Sequence, residues 1–193
     1  ERGKQGVFLS KLGEQIWEYD KYLEDPFSLW IIHCNIVKNR GQATAWSLFF
    51  NEYDEIEFTK DELVKELINK AGNLEGLKKF SEKSVEADGE ALLRMYVRKP
   101  ERESDPEEKN ISPFGIFELV KQKGSLYWKS QPPLHLLPAE IVGYLLKDCT
   151  SKEGAVSIDD LLTGKDSPGR ILNLKRTGLV EKLEELEQKI IYK

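Results

Sequence analysis

The chain has 193 residues, 39% of them hydrophobic and 33% charged, and a formal net charge of −5, enough to bury one large core or two small ones. The acidic balance does not fit a surface built throughout to neutralise phosphates, and no stretch approaches the roughly 18 apolar residues of a membrane span. Cys34 and Cys149 lie far apart, each in an apolar helical pattern. They are expected as free thiols of a reducing cytoplasm, and neither belongs to a C-x-x-C motif. Met95 is the only methionine and the chain opens at Glu1, which points to a processed or truncated start.

In chain order, Phe8, Leu9, Leu12, Ile16 and Trp17 fall at helical spacing. Asp25 is placed to cap a helix with Pro26 at its first position, where the missing N–H costs nothing. That helix should run to about Lys38, stop before Gly41 and, being apolar nearly all round, lie in the core. A second apolar helix is expected from Ala43 to about Tyr53, with Trp46, Phe49, Phe50 and Tyr53 on one stripe. Thr59 and Glu62 have the spacing of a capping box, Phe58 and Leu63 that of a hydrophobic staple. Gly72 sits where a left-handed cap would end the helix. A last helix of this half is expected over Asn73 to Val97, broken near Gly89.

Residues 99–110, KPERESDPEEKN, hold two prolines, five acids and no apolar side chain, and read as an acidic linker or loop. They divide the charge unevenly: net −4 over 1–98, −2 over 99–110 and +1 over 111–193. Beyond them a short helix is expected over Pro113 to Lys123, and a strand over Ser125 to Lys129 after a Lys-Gly turn. Pro138 opens the apolar helix PAEIVGYLLKDC. Ser157 and Ser167-Pro168 start two short helices, with Gly164 ending the first. An amphipathic helix should follow over Gly178 to Gln188, and a terminal strand over Lys189 to Lys193. The expected fold is mainly α: a helical domain over 1–98, then a winged-helix-like domain over 111–193 with a few short β-strands.

Catalytic constellations are sparse. His33 adjoins Cys34, but neighbouring helical residues point about 100° apart and do not share a proton easily, so a satisfied core histidine is expected. His135 has no companion at metal-ligand spacing, and no GxGxxG or GxxxxGK[ST] loop is present. Glu24 and Asp25 suit the positive end of a helix better than acid–base work. The remaining feature is basic. Lys165, Arg170, Lys175, Arg176 and Lys182 are opposed over 161–182 only by Asp166 and Glu181. The two short helices there match helix-turn-helix size. In that geometry Arg170 and its neighbours would face a groove, and Ser167 a phosphate. Lys121, Lys123 and Lys129, interleaved with Tyr127 and Trp128, could add a second contact.

Four segments in this order, YDKYLEDPFSLWIIH, ATAWSLFFNEY, FTKDELVKEL and SPGRILNL, resemble a family of uncharacterised bacterial proteins, the domain-of-unknown-function family 4007. The matching positions are Tyr22 to Asp25 with Trp30, then Ala45 to Phe50, then Ser167 to Arg170. Cys34 stands where relatives often carry tryptophan, and members usually have a further N-terminal segment of winged-helix character. The resemblance implies a helical protein with winged-helix parts. It also implies a role around DNA modification or defence, because such genes often lie near DNA phosphorothioation and sulfur-transfer genes. It supplies no catalytic residue.

The function expected is a non-enzymatic accessory protein of such a system, without cofactor or metal, contacting duplex DNA through Lys165, Ser167, Arg170, Lys175, Arg176 and Lys129. The alternative is an adaptor that recruits a sulfur-transfer or nuclease subunit and never touches DNA.

Overall fold

The structure, a computed structural model, describes residues 2–3, 6–74, 81–98, 112–149 and 156–191. A minimal antiparallel hairpin of β1 (Arg2–Gly3) and β2 (Gly6–Val7) precedes α1 (Lys11–Tyr19). Helix α1 begins only after Ser10, whose extended backbone lets its hydroxyl accept from Gly13 N–H at 3.2 Å. Phe8 and Leu9 therefore stand outside the helix. No residue of α1 is buried.

The core starts at α2 (Pro26–Lys38). Asp25 caps it by accepting from Phe27 N–H at 2.8 Å, and Pro26 occupies the first turn, as the sequence predicts. Leu29, Trp30, His33, Cys34 and Val37 are buried along it. Helix α3 (Thr44–Asn51) packs beside it through Leu48, Phe49 and Phe50. Strand β3 (Glu57–Thr59) then leads directly into α4 (Lys60–Gly72), whose capping box is formed on both sides: Thr59 Oγ1 accepts from Glu62 N–H, and Glu62 accepts from Thr59 N–H. Such a box is worth about 1 kcal/mol. Gly72 is the last helical residue and does not adopt a left-handed conformation; the cap is Asn73, with φ −89°. Helix α5 (Glu82–Tyr96) runs unbroken through Gly89, which faces Val64 and Leu67 of α4.

After the 99–111 segment, residues Pro113–Phe117 form a 3-10 turn, not the first part of a helix reaching Lys123. Strands β4 (Val120–Lys123) and β5 (Leu126–Lys129) follow, joined at Gly124 with φ +61°. The expected strand at 125–129 is thus present, with a partner strand where a helix was expected. The sheet is antiparallel in the order β3-β5-β4, with Phe58 opposite Tyr127 and Gln122 opposite Tyr127 on the other side. Leu134–Leu136 makes a second 3-10 turn, followed by α6 (Ala139–Cys149), α7 (Ile158–Thr163), α8 (Pro168–Ile171) and α9 (Arg176–Ile191). Residues 189–191 continue α9 as helix, not strand, because the apolar stripe of α9 extends the same period to Ile190.

The expected boundary at 99–110 lies outside the described residues, and packing on its two sides is continuous. One buried cluster runs from Leu29 to Leu179, and β3 of the first part completes the sheet of the second. Trp30 is the junction. Its ring stacks on Phe117 at 3.6 Å and 11°, and its Nε1–H donates to Leu136 O at 2.8 Å. A buried indole keeps its donor satisfied in this way.

Candidate functional site

His33 is fully buried and bonded at both ring nitrogens, to Tyr96 Oη at 2.7 Å and Ile171 O at 2.8 Å. A carbonyl only accepts, so Nε2 carries the proton and Nδ1 accepts from the tyrosine hydroxyl. Burial pushes the imidazole pKa down to about 4, against a smaller opposing effect of the Ile171 carbonyl. The adjacent Cys34 thiol is pushed up to about 12, chiefly by burial. A neutral imidazole with both nitrogens committed and a protonated thiol make no nucleophile–base pair. His135 lies exposed in the second 3-10 turn. Among the described residues no group of three or more His, Cys, Asp or Glu could hold a metal ion.

The basic residues of the second half fall into two kinds. Lys129 points inward from β5 to the C-terminal end of α3, where its ammonium donates to Phe49 O at 2.7 Å and to Tyr53 O, over the Phe49 ring at 4.6 Å. Phe49 O is one of the carbonyls an α-helix leaves unpaired at that end, where a cation is favoured, and Tyr53 lies two residues beyond the helix. Burial and then neighbouring Arg170 push the Lys129 pKa down to about 7, with Asp54 opposing. Arg170 is itself engaged, by Asp54 at 2.5 Å and by Thr163 O at 3.2 Å. Its hydrogen bond holds the Asp54 carboxyl below the usual range.

Ser167 is buried and spends its hydroxyl on Arg170 N–H as the cap of α8. Arg176 pairs with Asp159 at 2.7 Å on the surface, and buried Lys182 pairs with Glu185 at 2.8 Å. Only Lys165 and Lys175 of the predicted set are exposed without an ion pair among the described residues. The structure therefore brings Lys129 and Arg170 together around Asp54, and leaves Lys165 in the turn before α8 and Lys175 and Arg176 at the start of α9. Helices α7 and α8 are six and four residues long, shorter than a helix that lies along a groove.

No local pattern marks the Lys129–Asp54–Arg170 cluster, whose members are 75 or more positions apart except Arg170 and Lys129; only the folded chain gathers them. A longer helix pair lies elsewhere. The order α3, β3, α4, α5, β4, β5 places α4 and α5 against a three-stranded sheet with the β4–β5 hairpin beside α5. The solvent face of α5 carries Glu82, Glu86 and Asp88 with Lys83 and Arg94. The hairpin presents Lys123 at its tip, while Lys121 is paired with Glu118 at 2.7 Å. Helices α1, α2, α6 and α9 border an apolar groove of about 740 Å³ lined by Leu12, Ile16, Tyr19, Phe27, Leu146 and Ile190 among others.

Comparison with known proteins places this arrangement. The family described as "Protein of unknown function (DUF4007)" matches residues 1–192. The chain belongs to this family. No curated protein matches it. Two solved structures share its fold. "SspB crystal structure" is 24% identical with a TM-score of 0.75, and "Magnesium ion-bound SspB crystal structure" is 25% identical with a TM-score of 0.74. Each alignment covers 94% of this chain and 54% of the other, so the DUF4007 chain spans about half the length of the solved proteins it matches. The Trp30 and Ala45–Phe50 segments that carried the resemblance are the core of this fold, not an exposed site.

Proposed function

We propose that this DUF4007 chain is a non-enzymatic accessory protein of a bacterial DNA-modification or defence system, and that it works by docking protein subunits. The system is supported by family membership together with the phosphorothioation gene neighbourhood that the resemblance implies. The mode of action rests on one observation: Lys129 and Arg170, two of the five cations expected to meet phosphates, are committed to contacts within the fold. Lys129 and Arg170 hold α3, Asp54 and Thr163 together. Recruiting Lys129 to DNA would leave the Phe49 and Tyr53 carbonyls, on buried residues, without this partner, at about 1–3 kcal/mol each.

The element order from α3 to β5, with the sheet order β3-β5-β4, supports reading a winged-helix-like unit over 44–129 in preference to 111–193. In such a unit the second helix of the pair would approach a groove. Here that helix is α5, and the carboxylates of Glu82, Glu86 and Asp88 would meet phosphates of like charge. The arrangement suits a protein partner better than a duplex. The test is reconstitution with the sulfur-transfer or nuclease subunits of a phosphorothioation system. A complex that survives 0.5–1 M salt supports the reading, because surface charge pairs are screened there. Failure to bind any such subunit contradicts it.

A second reading keeps the DNA contact, on the observation that Lys165 and Lys175 are exposed and unpaired among the described residues. Arg176 could join them, since an exposed pair with Asp159 is worth only about 0–1 kcal/mol.

A further inference from the structure

Helix α1 forms without being built into the core. None of its residues is buried, whereas α2 carries five buried residues and α6 four. Two open spaces adjoin it. One is the apolar groove of about 740 Å³ that it shares with α2, α6 and α9. The other is a cleft of about 1070 Å³ shared with the end of α2, lined among others by Leu9, Glu14, Lys38 and Gln42.

The side chains that α1 contributes to the groove are all uncharged. Leu12, Gln15, Ile16 and Tyr19 line it, at the i, i+3, i+4 and i+7 spacing of one helical stripe, and Lys11, Glu14 and Glu18 do not. Leu146 of α6 and the i, i+4 pair Leu186 and Ile190 of α9 line the same groove. Helices α6 and α9 are closely packed there, since a Cβ on Gly143 would meet Leu186 at 3.1 Å. Of the helices around the groove, α1 is therefore the one with least to hold it.

The turn between α1 and α2 has the build of a hinge. Leu23 there has φ +55°, a left-handed conformation that costs a leucine energy and that recurs at switch regions. Leu23 packs against the core, and the Asp20 carboxylate accepts from Glu24 N–H at 2.9 Å and from Asp25 N–H at 3.3 Å. These contacts tie the turn to the start of α2. Helix α1 enters it at Tyr19, which is 81% exposed.

We infer that α1 is a strap that pivots at residues 20–23 and closes over the apolar groove, laying Leu12, Ile16 and Tyr19 against Leu146, Leu186 and Ile190. The open position is the one described above. The closed position buries the apolar stripe of α1 and withdraws the groove from any other apolar segment, so the chain controls its own apolar surface. The inference does not depend on the docking function proposed above or on any DNA contact.

Two observations make α1 itself the occupant. The first is the tether. Only residues 20–25 separate α1 from α2, and a connection that short holds α1 beside the groove at an effective concentration on the order of millimolar. The second is charge. Closure carries no ionised side chain of α1 into the groove, so no ion loses its water without gaining a partner.

The test is the distance between nitroxide labels at Glu18→Cys and Glu187→Cys, measured by double electron–electron resonance on the full chain with Cys149→Ser. Both labelled positions are exposed, and Cys34 is kept because its thiol is fully buried. The expected result is two populations: one at the separation in the structure, and a shorter one as α1 approaches α9 towards the roughly 8–10 Å axial spacing of packed helices. The substitutions Leu12→Gln plus Ile16→Gln fall on residues that are not buried, so circular dichroism and the unfolding midpoint should stay at their starting values while the shorter population is lost. Diluting the labelled chain with excess unlabelled chain should leave the shorter population unchanged, because it arises within one molecule. A single distance matching the structure overturns the inference. So does a shorter population that survives the double substitution, or one that vanishes on dilution and so belongs to a second copy.

Discussion

His33 is the residue on which the fold's pH response should turn. Its pKa is depressed from 6.5 to about 4 by burial, so between those values the unfolded chain binds a proton that the folded chain refuses. Stability is then full above pH 6.5 and falls as pH falls towards 4. By pH 5 the loss amounts to about 2 kcal/mol. Urea unfolding at pH 7, 6 and 5 should show this slope in the wild type. His33→Gln should lack it, and should be less stable at pH 7 by about 1–3 kcal/mol because Tyr96 or Ile171 loses a partner. A slope unchanged by the substitution would refute the assignment. Burial of His33 was legible in the sequence, from its place in an apolar helix. Its partners were not, since Tyr96 and Ile171 lie 63 and 138 positions away. The same holds for Lys129. β-forming residues after a Lys-Gly turn put it on a strand, but nothing local says that its ammonium ends on carbonyls at the end of α3.

Among elements, those with local signals were readable and those set by tertiary contact were not. The cap at Asp25-Pro26, the Thr59–Glu62 box, the Ser157 start and the Gly164 stop all use groups within four residues of each other. Strand β4 has no such signal. Its sequence, VKQK, suits a helix as well, and pairing with β5 decides the matter. In the Ser167–Arg170 segment one position has no room for a side chain. A Cβ on Gly169 would stand 2.4 Å from both Cα and O of Leu162, backbone atoms of α7 that cannot yield. Glycine is required by that close approach. Gly169→Ala should destabilise by about 1–3 kcal/mol or more, through overpacking, and thermal or urea unfolding will measure it. A variant as stable as wild type would mean that α7 and α8 do not meet as described.

At the scale of the whole molecule, the mainly α class with a small sheet was legible from periodicity, and the family from two tryptophan helices. How the halves meet was not. The acidic segment at 99–110 suggested two domains, whereas β3 pairs with β5 and Trp30 reaches Leu136 across it. That long-range pairing joins β3, β4 and β5 in one sheet, which no local pattern announces. Within the net positive run over 161–182, sequence cannot show that Arg170 meets Asp54, 116 positions earlier. The most direct test of the account is the salt dependence of duplex DNA binding by the wild-type chain, measured by fluorescence anisotropy between 50 and 200 mM salt. The account predicts weak binding with a shallow slope, unaffected by Lys165→Glu plus Lys175→Glu. Tight binding that falls about 10³-fold or more over that range, as six or more phosphate contacts require, and that the double variant abolishes, would contradict it.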